Sequence, residues 1–560
     1  MRNVLVLAFA LPLMAQEPAA TPTPTPTPAP VAAQEAAAPA APTDNWLTGT
    51  IDAGWRFTTA VAGNFDAYRS VVNLRRGPKL FGANLTIQPE KNRYVDRIDV
   101  SMSSFADPYN TARVEARKQG LYDLTFDYKN IDYFNFLPSF ADPGTVNSAL
   151  PFLDQNGFDT TRRTSEFRLD LFPGHRIVPY LAFSRNGGRG DGTTDFVLQS
   201  NEYVVPTTYN DYTNEYRAGV RFEFNRWHLT LEQGGYTSQN NQALQSGTQL
   251  PNYGNSQTPF LGQQLFFDGG AQYYAVRGDG LFSRALFTAN PVSWADVSAQ
   301  FLYSQPHMTA NFAQVDSGNL IDLSIPAFFG SESSVIDALA KQPHPAGSAS
   351  VELKPLHGRL RILESWSTDQ LHDAGSAILM DQLFSQGTTT TLTAADMERF
   401  VATYSQFETD LLFDVTPMLT LRGGYRYVWG EALEPASITI QGSTGAGTET
   451  GTLRRNVGIG GVSFRSKARF RVNVDYEGSP GDRSYFLTSL NDYQRGRAMA
   501  RYAPVDGLEI TARFTVLDNH NPDPAGRYSL LARDNTLGLS WNPEKWKGFG
   551  LSGDYARSTI

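Results

Sequence analysis

The feature that most constrains this chain is a hydrophobic period of two that begins just after Trp46 and recurs to its end. In the first such run Leu47, Ile51, Ala53, Trp55 and Phe57 point one way, and Thr48, Thr50, Asp52, Arg56 and Thr58 the other. Tyr122, Leu124, Phe126 and Tyr128 oppose Asp123, Thr125, Asp127 and Lys129; Tyr216, Ala218, Val220, Phe222 and Phe224 oppose Glu215, Arg217, Arg221 and Glu223. The split is still present near the end, where Leu508, Ile510, Ala512, Phe514 and Val516 oppose Glu509, Thr511, Arg513 and Thr515. Successive side chains of a strand leave opposite faces of its sheet, so each run reads as a strand with one dry and one wet face.

A soluble antiparallel sheet alternates too, so the connections decide between the architectures. Tight turns fall at Gln119-Gly120, Pro173-Gly174-His175, Asn225-Arg226, Pro291-Val292-Ser293, Leu356-His357-Gly358, Thr416-Pro417, Arg465-Ser466-Lys467, Val505-Asp506-Gly507 and 542–546. Between them lie polar stretches, 130–162, 186–213, 237–270, 305–347 and 368–399, which read as long loops. Short and long connections in strict alternation belong to up-and-down membrane barrels, with tight periplasmic turns and long extracellular loops. The expectation is an all-β fold: a large antiparallel transmembrane β-barrel over residues 45–560.

About 21 strands are visible, each near the ~9–11 residues that a tilted spanning strand needs. An odd count puts the two chain ends on opposite sides of the membrane. Hence 22 or more strands are expected in the complete barrel, either because closing strands lie outside these 560 residues or because one strand hides in a loop, residues 197–208 being the candidate. Two loop segments, 333–341 and 394–400, read as short helices.

The N-terminus fixes the compartment. Arg2, an apolar run from Val4 to Met14 and Ala15 before Gln16 make a secretory signal peptide over residues 1–15. Residues 16–44 are almost wholly Ala, Pro, Thr and Glu, with Thr-Pro repeated from Thr21 to Pro28; such a segment cannot bury a core and reads as a disordered periplasmic linker or tether. No later stretch reaches the roughly 18 apolar residues of a spanning helix, so the membrane is crossed by strands and the expected location is the bacterial outer membrane.

Composition agrees. Mean hydropathy is only -0.34, yet aromatic residues make up 12% of the chain, which suits the aromatic girdles of a barrel. With no cysteine there is no disulfide, no thiolate metal site and no covalent c-type haem within the chain. A net charge of -9 spread over 560 residues argues against a nucleic-acid partner; outer-membrane lipid is the expected surrounding.

The search for chemistry returns little. Gly-x-Ser-x-Gly, His-Glu-x-x-His and a phosphate loop are missing, and Gly458-x-Gly460 lies in an alternating run and reads as a strand glycine pair. The seven histidines, His175, His228, His307, His344, His357, His372 and His520, have no metal-ligand spacing; His175 and His357 fall in tight turns and His228 on the wet face. No catalytic, cofactor-binding or metal residue is assigned, and the chain reads as a non-enzyme. The candidate functional set is the charged wet face: Arg97, Asp99, Arg113, Glu115, Arg117, Arg217, Arg221, Glu223, Arg469, Arg471 and Asp475, expected to line the lumen. Such residues either admit water and ions or grip an inserted protein, or are polar simply because they cannot face lipid.

Several segments resemble a known family. Gly54-Trp55-Arg56-Phe57, Tyr68-Arg69-Ser70-Val71-Val72-Asn73-Leu74, Gly77-Pro78-Lys79-Leu80-Phe81-Gly82-Ala83-Asn84-Leu85 and Tyr128-Lys129-Asn130-Ile131-Asp132-Tyr133-Phe134-Asn135 look like large outer-membrane barrels of the MtrB/PioB type. That resemblance implies a sheath of roughly 26 strands around a periplasmic multihaem cytochrome, with haem carried by the partner. The chain departs from the pattern in lacking the N-terminal Cys-x-x-Cys of some members and in being shorter. Three functions follow for testing: a scaffold or conduit that sheathes a cytochrome for transmembrane electron transfer, a general or substrate-selective porin, and, last, an extracellular-rim hydrolase.

Overall fold

The computed structural model describes residues 46–59, 62–89, 93–136, 157–198, 201–246, 254, 259–322, 327–466, 469–481, 483–485, 489–524, 526–543 and 549–560. The signal peptide and linker expected over 1–44 lie outside the described residues. Residues from Leu47 to Ile560 form one compact unit.

That unit is a single antiparallel sheet in which consecutive strands pair. Its first strands are β1 (Leu47–Arg56), β2 (Gly77–Ile87), β3 (Arg97–Phe105), β4 (Tyr109–Lys118), β5 (Tyr122–Asn135), β6 (Phe158–Leu171), β7 (Ile177–Leu198) and β8 (Asn201–Phe224). The middle of the wall is built from β9 (Trp227–Ser246), β10 (Phe266–Val292), β11 (Ala295–Asp322), β12 (Ala327–Lys341), β13 (His344–Leu353), β14 (Leu360–Ser385), β15 (Thr388–Thr416), β16 (Leu419–Ile440) and β17 (Ser443–Ser466). It ends with β18 (Phe470–Ser479), β19 (Asp492–Tyr502), β20 (Leu508–Asn521), β21 (Tyr528–Trp541) and β22 (Leu551–Thr559). One short helix, α1 (Phe65–Val71), is capped by Asn64, whose side chain accepts from the amides of Asp66 and Ala67.

The 22 segments occupy 21 positions. Both β12 and β13 pair with β11 on one side and with β14 on the other, one above the other, so together they form a single broken stave. Pro343 marks the break because it has no N–H to give to the ladder; the amide of Gln342 donates instead to Pro306 O and that of His372 to Pro343 O. The expected count of about 21 therefore matches the staves. Among the described residues β1 pairs only with β2, and β22 only with β21.

Membership of the membrane-barrel class follows from what the two faces carry. Leu181, Tyr216, Leu281, Leu411, Val462 and Leu537 share one face in the paired registers and stand 43–65% exposed. A band of large apolar side chains facing outward around the strands is the surface that hydrocarbon covers. At the short-turn end Phe224 stacks on Trp227 at 4.4 Å, and Phe470 meets Phe464 at 6.2 Å and Tyr502 at 6.0 Å, giving that rim its aromatic residues.

Several expectations are corrected. The polar stretches 186–213, 305–347 and 368–399 are not loops but mainly strand, because the staves from β7 to β17, with β12 and β13 taken as one, run on far beyond a membrane span: β10 has 27 residues, β11 28 and β15 29. The extracellular connections at 386–387 and 441–442 are two-residue turns. Gln386 (φ 49°) with Gly387 (φ 83°), and Gln441 (φ 50°) with Gly442 (φ 82°), adopt the left-handed pair that matches the twist of a hairpin. Residues 333–341 belong to β12 and 394–400 to β15, so neither is helical. The candidate extra strand at 197–208 is the top of the β7–β8 hairpin, with Leu198 opposite Asn201, and adds no crossing.

Candidate functional site

Following the register from strand to strand traces one continuous polar face. In the early strands Arg97 is opposite Arg117, and Asp99 opposite Glu115; Arg113 lies across from Asp127. The charges are mostly paired within the face. Arg97 bonds Asp99 at 2.6 Å, where Thr86 also donates at 2.7 Å, and Arg113 holds Glu115 at 2.6 Å and Asp127 at 3.4 Å. On the later strands Arg217 reaches Glu215 at 3.2 Å, while Arg221 lies 3.2 Å from Asp170 and 3.8 Å from Glu223. Arg471 faces Arg465 and Arg501 across neighbouring strands, and Asp475 lies 3.6 Å from Arg422. Arg469 stands in the turn ahead of β18, its amide donating to Ser466 O.

Two denser networks on this face were not singled out from the sequence. In the first, Tyr180 donates to Glu232 at 2.6 Å, and Glu232 also holds Arg284 at 2.9 Å. In the second, which spans β15 to β19, Arg422 grips Asp410 through two bonds of 2.9 and 2.7 Å. Arg426 bonds Glu408 and reaches Glu477 at 3.3 Å, and Arg495 closes on Glu477 at 2.8 Å. Each of these residues has the parity of the wet face, so the period-two rule marks it as polar; which charges meet depends on cross-strand register, and that is set by turn geometry.

Directly above this second network the β18–β19 connection lies across the same face. The phenol of Tyr485 donates to the backbone carbonyl of Thr403 on β15, and Arg455 of β17 donates to Leu490 O. Burial pushes the Tyr485 phenol up to about 12, so it remains a donor at every physiological pH.

At the extracellular end the same face turns apolar. Phe196, Tyr203, Val205 and Phe267 form a buried cluster with Leu244, the Phe267 ring lying 5.4 Å from both Phe196 and Tyr203. Asp316, far above the membrane span in β11, is 2% exposed and bonded by Gln314, which accepts from Gln272 at 3.0 Å. Burial raises its carboxyl to about 6.

Elsewhere α1 and the chain after it lean on β5 and β6: Arg75 bonds Asp132 at 2.6 Å, Arg69 bonds Asp159 at 3.0 Å, and the Arg69 guanidinium sits 3.7 Å from the Phe134 ring centroid. Of the histidines, His307 lies 3.2 Å from Asp279, His344 lies 2.5 Å from Asp369, and His228 is opposite Glu223 on the polar face. Among the described residues no group of three or more His, Asp or Glu could hold a metal ion.

No family model matches the sequence, and no curated protein matches it; membership of the MtrB/PioB group is thus not shown. Among solved structures the chain is similar to the copper transporter OprC, with 9% identity, 84% of this chain and 79% of that chain covered, and a TM-score of 0.35. It is similar also to the ferric yersiniabactin uptake receptor FyuA from Yersinia pestis, with 9% identity, coverage of 83% and 84%, and a TM-score of 0.33. The Pseudomonas putida toluene transporter TodX gives 11% identity, coverage of 68% and 87%, and a TM-score of 0.23. Identities and scores this low say nothing of a shared substrate.

Proposed function

We propose that this chain is a passive conduit in the bacterial outer membrane: a barrel wall whose polar face lines a water-containing path. The observation that carries this reading is the continuity of that face. It runs unbroken from Thr86 and Asp99 in β2 and β3 to Gly538 and Asp554 in β21 and β22, and its charges are bonded to one another within the wall. Neutralising most of the charge sideways leaves the path hydrated with little net field to trap an ion, the Arg465, Arg471 and Arg501 row at the short-turn end being the exception. No reacting group is needed for such a function.

The finer form of this reading, suggested by the family resemblance, fills the lumen with a periplasmic multihaem cytochrome that carries the haem. The same mixed charges would then face a protein surface in place of water. Purification of the native protein separates the two. A stable conductance in planar bilayers from a haem-free preparation supports the open conduit, whereas a copurifying chain with haem absorbance supports the sheath. A preparation with neither overturns both, and activity lost on loop Asp or His substitution would favour the rim hydrolase.

A further inference from the structure

A connection at the extracellular end of a barrel has no need to touch the inside of the wall. The β18–β19 connection does so at several points. Of its described residues, 480–481, 483–485 and 489–491, Arg483 still lies beside β17, and Tyr485, Ser489 and Leu490 bond to groups on the polar face. Arg483 bridges to Arg454 of β17, Tyr485 reaches Thr403 of β15, and Ser489 accepts from Tyr528 at 2.8 Å and from Asn519 at 3.3 Å, on β21 and β20. From β18 to β15 is three interstrand spacings, or about 14 Å.

The wall is built to receive it. At Thr403 and Tyr404 the β15–β16 pairing lapses: Ala402 is opposite Ala432 and Ser405 opposite Trp429, with no partners in register between them. The Thr403 hydroxyl takes the amide of Glu431 at 3.0 Å, which leaves the Thr403 carbonyl for the Tyr485 phenol. Gly430 and Gly451 form the seat. A Cβ at Gly430 would lie 1.9 Å from the Tyr485 oxygen, and one at Gly451 would lie 3.3 Å from the ring. At Gly430 the Thr403 carbonyl, 1.8 Å from such a Cβ, already demands glycine, and the phenol fills the space that the missing side chain leaves. The face beneath is unusually dry for a polar one, with Val428, Leu453, Val457 and Tyr493 all buried.

We propose that the described residues of the β18–β19 connection form an inward-folded constriction that narrows the conduit at the outer end of its span. It rests on the conduit reading above. Gly430 is the twelfth residue of β16, near the ~9–11 residues that cross hydrocarbon, so the narrowing falls at the extracellular rim. A solute entering from outside passes between this element and the far wall, then meets the Arg426, Glu408, Glu477 and Arg495 network directly below. Width is thus selected first, and mixed charge second.

The chain has no cysteine, so an introduced pair has only one bridge to form within a molecule. A Cβ at position 451 would lie 3.7 Å from the Tyr485 Cα, within reach of disulfide geometry. The test uses the full chain with Gly451→Cys and Tyr485→Cys, and alongside it Tyr485→Ala with Arg455→Ala, each checked for folding by its migration on unheated gels. The bridge should close in the folded protein and hold unit conductance at or below wild type. Reduction of the same molecules, like the alanine pair, should raise conductance severalfold and admit larger polyethylene glycols. Failure of the bridge to form in folded protein, or unchanged conductance and polymer cut-off on release, overturns the constriction while leaving the conduit standing. If wild type and released forms are equally silent, the conduit reading itself fails and takes the constriction with it.

Discussion

At the residue scale the polar face is held by pairs whose members are buried to different degrees. Asp410 has 4% of its side chain exposed and Arg422 31%, so removing the arginine strands a buried carboxylate. Arg422→Ala should lower stability by about 2 kcal/mol, less than the ~3–5 kcal/mol of a fully buried pair because the guanidinium is partly hydrated. Urea titration in detergent checks it, and replacing both residues by leucine should cost less than the single change. Asp316 makes a pH prediction. Its folded state holds a proton up to about pH 6, against an ordinary value of 3.8. Packing around it is therefore most stable below pH 3.8, weakens as pH rises and levels off above about 6. Amide exchange in the upper parts of β10 and β11 should speed up across that window, and Asp316→Asn should flatten the dependence. The sequence already carried the parity that sets Arg97, Asp99, Arg113, Glu115, Arg217 and Arg221 on one face. It did not carry the Arg422–Asp410 pairing, because two residues 12 apart meet only after the β15–β16 hairpin has chosen its register.

At the element scale the largest gap between sequence and structure is the extracellular ribbons. Stretches such as 186–198 and 201–213 pair residue by residue, yet both of their faces are wet for much of their length, so no dry stripe repeats at every second position. Ladder hydrogen bonds form without one. Periodicity reports burial, and where burial is slight it falls silent even though the backbone is a strand. The broken stave of β12 and β13 was likewise hidden, its polar residues reading as a loop with a helical turn. Close approach between elements gives a sharp test at Gly430, whose added Cβ would stand 1.8 Å from Thr403 O, a backbone atom that can move only with its strand. Gly430→Ala should cost about 1–3 kcal/mol through this overpacking. Gly460→Ala, where nothing lies within 4 Å, should be close to neutral in the same unfolding titration.

At the scale of the molecule, the alternation of dry and wet residues, the tight turns at one end and the aromatic rim were all legible, and they sufficed for the barrel class. The lumen's occupant was not, since a wall of paired charges suits water and a protein surface alike. One feature of the wall bears on life outside the membrane. The strands nearest the chain ends, β1 with 10 residues and β22 with 9, are about as long as hydrocarbon requires, whereas β15 has 29. At about 3.3 Å per residue the longest stave measures some ~95 Å along its axis, roughly three times the hydrocarbon thickness. Among the described residues the wall is consequently a parapet on one flank and a sill at the chain ends. A solute at the mouth would therefore meet far more wall on the side of the long ribbons than on the side of the chain ends.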